Sequence, residues 1–333
     1  MLTTSIIIFA LFFLAFGGFV IYDLATAKKR KEVYRVKSTA TAYLMLLPSV
    51  GLAFLFILLP ILYSLGYAFT DYYLLEPNNI SFIYLENFAD LFEEISEKGM
   101  LYNAIINTVT FVVGVVPLQI GLALLLALLV NRPCFGSKVF KVCFFAPVVI
   151  SRSITAFLWE QILAPGEGGL LNSMLSMFGV PPHDWLRDPA TAMPCIIVLS
   201  AWQGCGYQML IFLSGLSNIR KDLYEASALD GANWWHKFWL VTWPGLRSTF
   251  VYILITVFIG ACRILTQPML MTGYMSHTVT LSYYMYNSGY TERWVGLSSA
   301  VALLMTIFIG GITLILMGFK IVLEHLGIIA LVG

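Results

Sequence analysis

The sequence has little charge and no long polar segment. Only 11% of its 333 residues are charged and 59% are hydrophobic, with a mean hydropathy of +0.84. Because a water-soluble protein carries roughly a quarter charged residues, this composition excludes a soluble globular domain. The formal net charge of +1 gives no argument for nucleic-acid binding, since the basic residues cluster at the ends of apolar runs.

Motifs for cofactor chemistry are also missing. The chain has no G-x-x-x-x-G-K-[ST] segment, and no glycine is followed by lysine, so we expect no ATP site of the usual kind. The 5 cysteines form no C-x-x-C pair and the 4 histidines show no ligand spacing. We therefore predict no metal site, no catalytic residue and no cofactor in this chain, which is not expected to be an enzyme.

Apolar runs of the length that crosses a bilayer, about 20 residues, are abundant. None alternates at period two, so helices rather than barrel strands are expected. The predicted fold is an all-α polytopic membrane protein with about seven transmembrane helices. The predicted spans are Thr3–Ala25, Thr41–Phe69, Ala104–Val130, Val142–Leu163, Ala192–Gly215, Phe250–Leu270 and Leu297–Phe319.

Basic residues set the predicted orientation, because they accumulate on the cytoplasmic side. A basic run follows the first span directly, which places the N-terminus outside and the C-terminus in the cytoplasm. Lys98, Arg187 and Arg293 fall outside. The cytoplasmic residues are then Lys28, Lys29, Arg30, Lys31, Arg35, Lys37, Arg132, Lys138, Lys141, Arg220, Lys221, Lys237, Arg247 and Lys320.

The chain is predicted to have four parts: an N-terminal transmembrane helix (1–27), a basic cytoplasmic linker (28–40), a transmembrane domain (41–320) and a C-terminal tail (321–333). Ala25-Thr26-Ala27 resembles a signal-peptidase site. A signal peptide carries positive charge before its apolar stretch, and residues 1–22 carry none, so we expect the helix to be retained. The acidic outward segment Thr70–Asn103 fits either a docking surface or a solvated loop.

The cytoplasmic loop 218–248 is predicted to form two short helices lying across the membrane face. Asp222 and Glu225 have the spacing of a capping box at a helix start. Gly231 supplies the turn that ends this helix, and Pro244 is expected to break the second helix. Four tryptophans leave a second interpretation open, an interfacial helix that docks nothing. They are Trp234, Trp235, Trp239 and Trp243.

The spacing of this loop resembles a known family. Glu225-Ala226-Ser227, Asp230-Gly231-Ala232 and Trp243-Pro244 are similar to the "EAA…DGA…LP" coupling loop of permease subunits in binding-protein-dependent ABC importers. The resemblance extends over nearly all of residues 40–320 and is closest to the sugar-permease branch of the maltose and glycerol-phosphate type. Supporting stretches are Asn107-Thr108, Asn131-Arg132, Gly169–Asn172, Trp185–Asp188 and Met271–Gly273.

The resemblance implies a type I permease core of six helices preceded by one extra helix. It also implies half of a sugar pathway in the bacterial or archaeal cytoplasmic membrane. The expected partners are two ATP-binding subunits that hold ATP and Mg, a second homologous permease subunit, an extracytoplasmic solute-binding protein and membrane lipid. The residues implied to dock the ATPase are Glu225, Ala226, Ser227, Asp230 and Gly231.

The chain departs from the family pattern at three places. Ser227 stands where the family has a third alanine, and Arg220 replaces a proline before the helix. Gly273-Tyr274-Met275 replaces Gly-Gly-Pro, so the outward loop is expected to differ in shape. None of these changes affects Glu225 or Gly231.

Polar and aromatic side chains within spans four to six are the candidates for lining the pathway. Ionisable groups are costly in lipid, which singles out Arg152, about ten residues into span four, and Arg263. Both arginines leave an acidic or phosphorylated sugar or polyol open as an alternative substrate. A secondary transporter is the remaining alternative from a different class. The candidates are Arg152, Trp159, Glu160, Gln161, Trp202, Gln203, Tyr207, Gln208, Arg263 and Gln267.

Overall fold

The computed structural model consists almost entirely of helices. The first predicted span and the basic run after it lie largely outside the described residues, so both stay predictions. In the part that is described no strand occurs, and the extended segments form two isolated bridges, Thr70–Phe82 and Tyr73–Trp294. The described residues are 12, 14, 16–23, 25, 26, 33–131 and 136–325.

The helices are numbered here from residue 33. They are α1 (Val33–Ala53), α2 (Leu59–Tyr67), α3 (Glu86–Ser96), α4 (Met100–Val130), α5 (Ser137–Val149), α6 (Arg152–Ile162), α7 (Leu170–Ser176), α8 (Ala192–Ser217), α9 (Lys221–Leu229), α10 (Trp234–Lys237), α11 (Trp243–Cys262), α12 (Thr266–Met271), α13 (Leu281–Tyr286) and α14 (Val295–His325). Short π-helices lie at Phe54–Leu58, Phe238–Thr242 and Asn287–Thr291.

Five helical stretches of the described chain are long and apolar enough to cross a membrane, or six if the bent pair α5–α6 is one span. The predicted all-α polytopic fold is confirmed, whereas the total of seven spans is not. The five stretches are Thr41–Tyr67, Met100–Val130, Ala192–Ser217, Trp234–Met271 and Val295–Gly318.

The chain divides into two compact units, and the first comprises Met1–Asn87 and Arg293–Leu303. Within this unit the start of α14 lies against the segment that follows α2. The Gly296 amide donates to the Tyr72 carbonyl at 3.0 Å. A Cβ at position 296 would lie 2.1 Å from the Thr70 oxygen, so this approach requires glycine.

The second unit comprises Phe88–Glu292 and Leu304–Gly333. It contains all of the predicted pathway residues and the loop 218–248. Helix α8 packs into its interior, where Ile196, Leu199, Ala201, Met209 and Phe212 are completely buried. Two glycines allow the close packing: a Cβ on Gly206 would lie 2.2 Å from the Phe144 oxygen, and one on Gly114 would lie 2.6 Å from Ile197 Cδ1. Gln203 and Gln208 of α8 are buried inside the protein.

The prediction of one continuous fourth span, Val142–Leu163, is wrong. The chain bends by 97° between α5 and α6, where Ile150 and Ser151 are extended, with ψ of 134° and 139°. Pro147 lies in the last turn of α5 and removes a backbone donor there. Arg152 is consequently the first residue of a new helix rather than a mid-helix residue.

The prediction that Pro244 breaks the second loop helix is also wrong, because helix continues from Trp234 through α11. Pro244 is at the start of α11, directly after the π-helix Phe238–Thr242. There the Trp243 amide donates to the Phe238 carbonyl. The wider π turn accommodates a proline ring that would clash with the carbonyl four residues earlier in an α-helix.

Candidate functional site

A cavity of about 270 Å³ lies between α4, α8, α11 and the broken pair α5–α6. It brings together five of the predicted pathway residues, namely Arg152, Gln203, Tyr207, Gln208 and Gln267. They are joined by residues that the sequence did not single out. The other lining residues are Phe111, Val115, Gln119, Val148, Ile150, Ser200, Gly204, Thr256, Val257, Gly260, Ala261 and Ile264.

Gln119 on α4 is the main polar residue that sequence reasoning missed. Its Nε2 donates to the Gln208 Oε1 at 3.0 Å. Gly204 makes room for this pair, since a Cβ there would lie 2.3 Å from the Gln119 Nε2. An amide within a long apolar helix is the one signal that could have identified Gln119, because an amide in lipid must find a polar partner.

The Gln203 side chain stabilises the bend between α5 and α6. Its Nε2 donates to the Ile150 carbonyl at 3.1 Å and to the Thr155 Oγ1 at 3.0 Å. The bend ends the helix ladder of α5, so the Ile150 carbonyl has no helical donor. The amide supplies one and fixes the direction in which α6, and with it Arg152, leaves the bend.

Two buried oxygens of the cavity lack a hydrogen-bond partner in the described part of the chain. They are the Gln267 Oε1 and the Ser200 Oγ, and Gln267 is only 5% exposed. A buried acceptor without a donor costs about 1–3 kcal/mol. The site is therefore suited to a bound molecule that carries hydroxyl groups.

The remaining pathway candidates lie elsewhere. Glu160 and Gln161 line a second cavity of about 380 Å³ together with Asp184 and Arg187. Trp159 and Trp202 contact each other, with ring centroids 5.8 Å apart. Arg263 is exposed at the end of α11. None of these side chains lines the first cavity.

Helix α9 presents most of the predicted coupling residues to the surface. Glu225, Ala226, Asp230 and Gly231 are exposed, and Ser227 is half-buried, its Oγ donating to the Tyr224 carbonyl at 2.9 Å. The charged side chains and the helix end are thus accessible to a docking partner.

The end of α9 is a Schellman motif. The Ala232 amide donates to the Ser227 carbonyl at 3.0 Å and the Gly231 amide to the Ala228 carbonyl at 3.1 Å. Gly231 has φ 76°, as predicted, and no atom lies within 4 Å of a Cβ placed there. The requirement for glycine is therefore conformational and not steric.

The predicted capping box at the start of α9 is not formed. Helix α9 begins at Lys221 and its N-cap, Arg220, makes no side-chain cap. The Asp222 carboxylate instead pairs with the Arg220 guanidinium, and this contact lowers the pKa of Asp222. Arg220, which stands where the family has a proline, thus binds the Asp222 carboxylate that was expected to cap the helix.

A hydrogen bond between two side chains joins α9 to the π-helix Phe238–Thr242. The Tyr224 hydroxyl on α9 lies 2.9 Å from the Thr242 Oγ1 in the π-helix. Asn233 caps α10 by accepting from the His236 amide at 2.9 Å. The first helix of the loop is therefore attached to the base of α11.

Asn107 and Asn172, from two of the other stretches that carried the family resemblance, hold loops that lie outside the coupling loop. Asn172, 1% exposed, donates to the Ala164 and His183 carbonyls and accepts from the Trp185 Nε1 at 2.8 Å. Asn107 donates to the Ser276 and Val279 carbonyls at 2.8 and 2.9 Å. These residues hold loops in place.

Residues 98–324 match the family described as "Binding-protein-dependent transport system inner membrane component". The chain belongs to this family, so it is a multi-pass membrane permease subunit of an ABC transporter complex.

Among its relatives, the "Probable ABC transporter permease protein YesP" of Bacillus subtilis (strain 168) is 31% identical, over 88% of this chain and 94% of that protein. The "Lactose transport system permease protein LacF" of Rhizobium radiobacter is 31% identical, over 74% and 82%. The "Trehalose/maltose transport system permease protein MalF" of Thermococcus litoralis is 28% identical, over 84% and 94%.

The fold is similar to that in a solved crystal structure of a bacterial ABC transporter involved in the import of the acidic polysaccharide alginate. The TM-score is 0.77 at 22% identity, covering 88% of this chain and 99% of that one. The alginate transporter in complex with an alginate pentasaccharide-bound periplasmic protein gives a TM-score of 0.74 at 24% identity.

Proposed function

We propose that this chain forms half of the translocation pathway of an ATP-driven sugar importer and couples it to separate ATPase subunits through loop 218–248. The observation that carries this proposal is helix α9, which is exposed and ends at Gly231 with the spacing of the family's coupling loop. The proposed partners are two ATP-binding subunits that hold ATP and Mg, a second homologous permease and an extracytoplasmic solute-binding protein.

In the proposed coupling, α9 enters a cleft of one ATP-binding subunit. Glu225 and Asp230 offer charge, whereas Ala226 and Ser227 keep the helix narrow. Because Tyr224 bonds to Thr242, a displacement of α9 is passed to the base of α11, which lines the first cavity further along its length. ATP binding and hydrolysis would thereby alternate the access of the cavity between the two sides of the membrane.

In the proposed pathway, the first cavity holds part of the sugar. Tyr207, half of whose surface is exposed, offers an aromatic face to sugar C–H groups, and the unpartnered Gln267 Oε1 accepts a hydroxyl hydrogen bond. Glu160 and Gln161 would contact the sugar in the second cavity. The names of relatives that transport arabinooligosaccharides, lactose or trehalose and maltose support a saccharide.

The proposed orientation has the N-terminus outside and α9 in the cytoplasm, as the basic residues indicate. An acidic sugar is the second candidate substrate. It is favoured by Arg152, because the residues that line the first cavity include this arginine and no carboxylate.

The proposal is tested by purifying the chain with its partner subunits and measuring ATP-driven uptake. Gly231→Pro forces a negative φ on a residue that has φ 76°, so we expect uptake and co-purification of the ATP-binding subunits to be lost while the chain still inserts.

Gly179→Pro is the matched control. Gly179 has φ 78° and no atom within 4 Å of a Cβ, but it lies after α7, away from the loop. We expect it to retain assembly and uptake. Equal behaviour of the two variants, or normal uptake by Gly231→Pro, contradicts the coupling role.

A further inference from the structure

A row of aromatic rings lies beside α9 in the sequence and is here called the tryptophan stripe: Trp234, Trp235, Phe238, Trp239 and Trp243, of which Phe238 and Trp243 are half-buried. Trp234 and Trp235 are each 56% exposed and Trp239 is 47% exposed. Tryptophan buries more apolar area than other residues, and a contiguous exposed apolar patch marks an interaction site. The stripe therefore needs a partner that covers it.

The rings are already ordered by contacts with one another. The centroid distances are 5.7 Å between Trp235 and Trp239 and 6.0 Å between Trp239 and Trp243. The Phe238 ring lies 6.0 Å from that of Trp234. A partner that binds this surface consequently pays little side-chain entropy.

The polar edges of these rings distinguish between possible partners. Within the described residues, none of the four indole N–H groups of the stripe has a hydrogen-bond acceptor, whereas the Trp185 Nε1 donates to the Asn172 Oδ1 at 2.8 Å. A ring with an apolar body and a free N–H fits an environment that is apolar on one side and rich in acceptors on the other. The headgroup region of a bilayer has that character.

The position of the stripe along the helix agrees with a bilayer surface. The helical stretch Trp234–Met271 has 38 residues, about 57 Å at 1.5 Å per residue, and the hydrocarbon core is about 30 Å thick. The end of this stretch that carries the stripe therefore extends beyond the core on the side of α9. Lys237 lies between Trp235 and Phe238 in the sequence, and a lysine at a bilayer surface is attracted to lipid phosphates.

We propose that the tryptophan stripe is a phospholipid-binding surface that anchors the base of the coupling loop in the headgroup region. The indole N–H groups donate to lipid ester and phosphate oxygens, and the ring bodies lie against the first acyl carbons. Since Thr242 in the adjoining π-helix bonds to Tyr224, this anchor sets the depth of α9. The inference does not depend on the identity of the transported substrate.

The test uses the purified importer complex in nanodiscs of phosphatidylcholine with bromine on the acyl chains, near either the headgroup or the chain ends. Bromine quenches tryptophan emission at short range. The triple variant Trp234→Phe, Trp235→Phe, Trp239→Phe removes three indoles and keeps aromatic rings. Subtracting its emission from that of the wild type isolates the emission of these three indoles of the stripe, and Trp185→Phe is the control for an indole bonded within the protein.

We expect the stripe emission to be quenched at least twofold, more strongly by bromine near the headgroup, and the Trp185 emission to be unaffected. If the triple variant fails to assemble, the single variants Trp234→Phe and Trp239→Phe give the same difference. Unquenched stripe emission in the complex means that an ATP-binding subunit covers the stripe, and overturns the proposal. Stronger quenching by bromine at the chain ends also overturns it.

Discussion

At the scale of single residues, the bend between α5 and α6 depends on one amide. Gln203 satisfies the Ile150 carbonyl and the Thr155 hydroxyl at once. The bend leaves that carbonyl without a helical donor. The side chain that was expected to bind substrate is therefore first a positioning residue for Arg152.

Replacing Gln203 with leucine tests this task. The Gln203→Leu variant keeps the volume but leaves the Ile150 carbonyl unpaired, which costs about 1–3 kcal/mol. We expect Tm of the purified chain to fall by several degrees. Gln161→Leu, at an exposed position of α6, is the control and should leave Tm unchanged. A fall of equal size in both variants would contradict the assignment.

A second residue-scale prediction concerns Asp71, outside the spans. Its carboxylate accepts from the Ser81 hydroxyl and the Ser81 amide, both at 2.6 Å, and these bonds lower the pKa of Asp71 below its ordinary value of 3.8. The stability it contributes is present above the unfolded-state value and is lost as pH falls through the lower folded-state pKa.

The measurement is the difference in Tm between wild type and Asp71→Asn as a function of pH. We expect wild type to be more stable near neutral pH and the difference to disappear at pH values below 3.8. Ser81→Ala removes the donor hydroxyl and should reduce this pH-dependent difference. A difference that persists in acid would rule out the carboxylate as its source.

At the scale of elements, a side-chain hydrogen bond between Tyr224 and Thr242 joins α9 to the π-helix that directly precedes α11. Tyr224→Phe removes it and keeps the ring. We expect assembly and ATP hydrolysis to be retained while sugar uptake per ATP hydrolysed falls by at least twofold. Tyr252→Phe, exposed on α11, is the control. Unchanged coupling in Tyr224→Phe would show that α9 acts by another route.

The sequence predicts α8 well and the bend poorly, for physical reasons. The glutamines and the tyrosine within this apolar run were predicted as candidates for lining a pathway, and Gln203, Tyr207 and Gln208 do line one cavity. The bend depends on a donor from a helix about fifty residues further along the chain, which no local pattern contains. Pro147 followed by polar residues at 151–153 is the signal that was available.

The ends of α9 show the same contrast. Gly231 was predicted correctly because only a left-handed residue ends the helix there. The capping box was predicted wrongly because the motif takes no account of a competing cation, and Arg220 takes the Asp222 carboxylate. Short motifs are thus dependable where the backbone fixes the choice, and less so where side chains compete.

At the scale of the whole molecule, the first and second cavities differ in the charge of the residues that line them. The first is lined by Arg152 without a carboxylate, and the second by Glu160 and Asp184 beside Arg187. In the proposed half-pore a second permease subunit completes both. Arg152→Gln therefore tests the acidic alternative: we expect it to reduce uptake of a uronate-containing oligosaccharide at least tenfold more than uptake of a neutral one.

Equal losses for both sugars would favour the neutral substrate class. Gln161→Leu serves again as control, because Gln161 lies in the second cavity, and it should not discriminate by charge.

The central claim, that this permease subunit moves a sugar under the control of external ATPases through α9, is tested most directly in proteoliposomes. They contain the chain with its partner subunits, and the solute-binding protein is added on the side opposite α9. With ATP on the side of α9 we expect sugar uptake from the side of the binding protein, and at least a tenfold loss in Glu225→Lys, which reverses an exposed charge of α9. Uptake that proceeds equally without ATP, or with Glu225→Lys at the wild-type rate, would contradict the account.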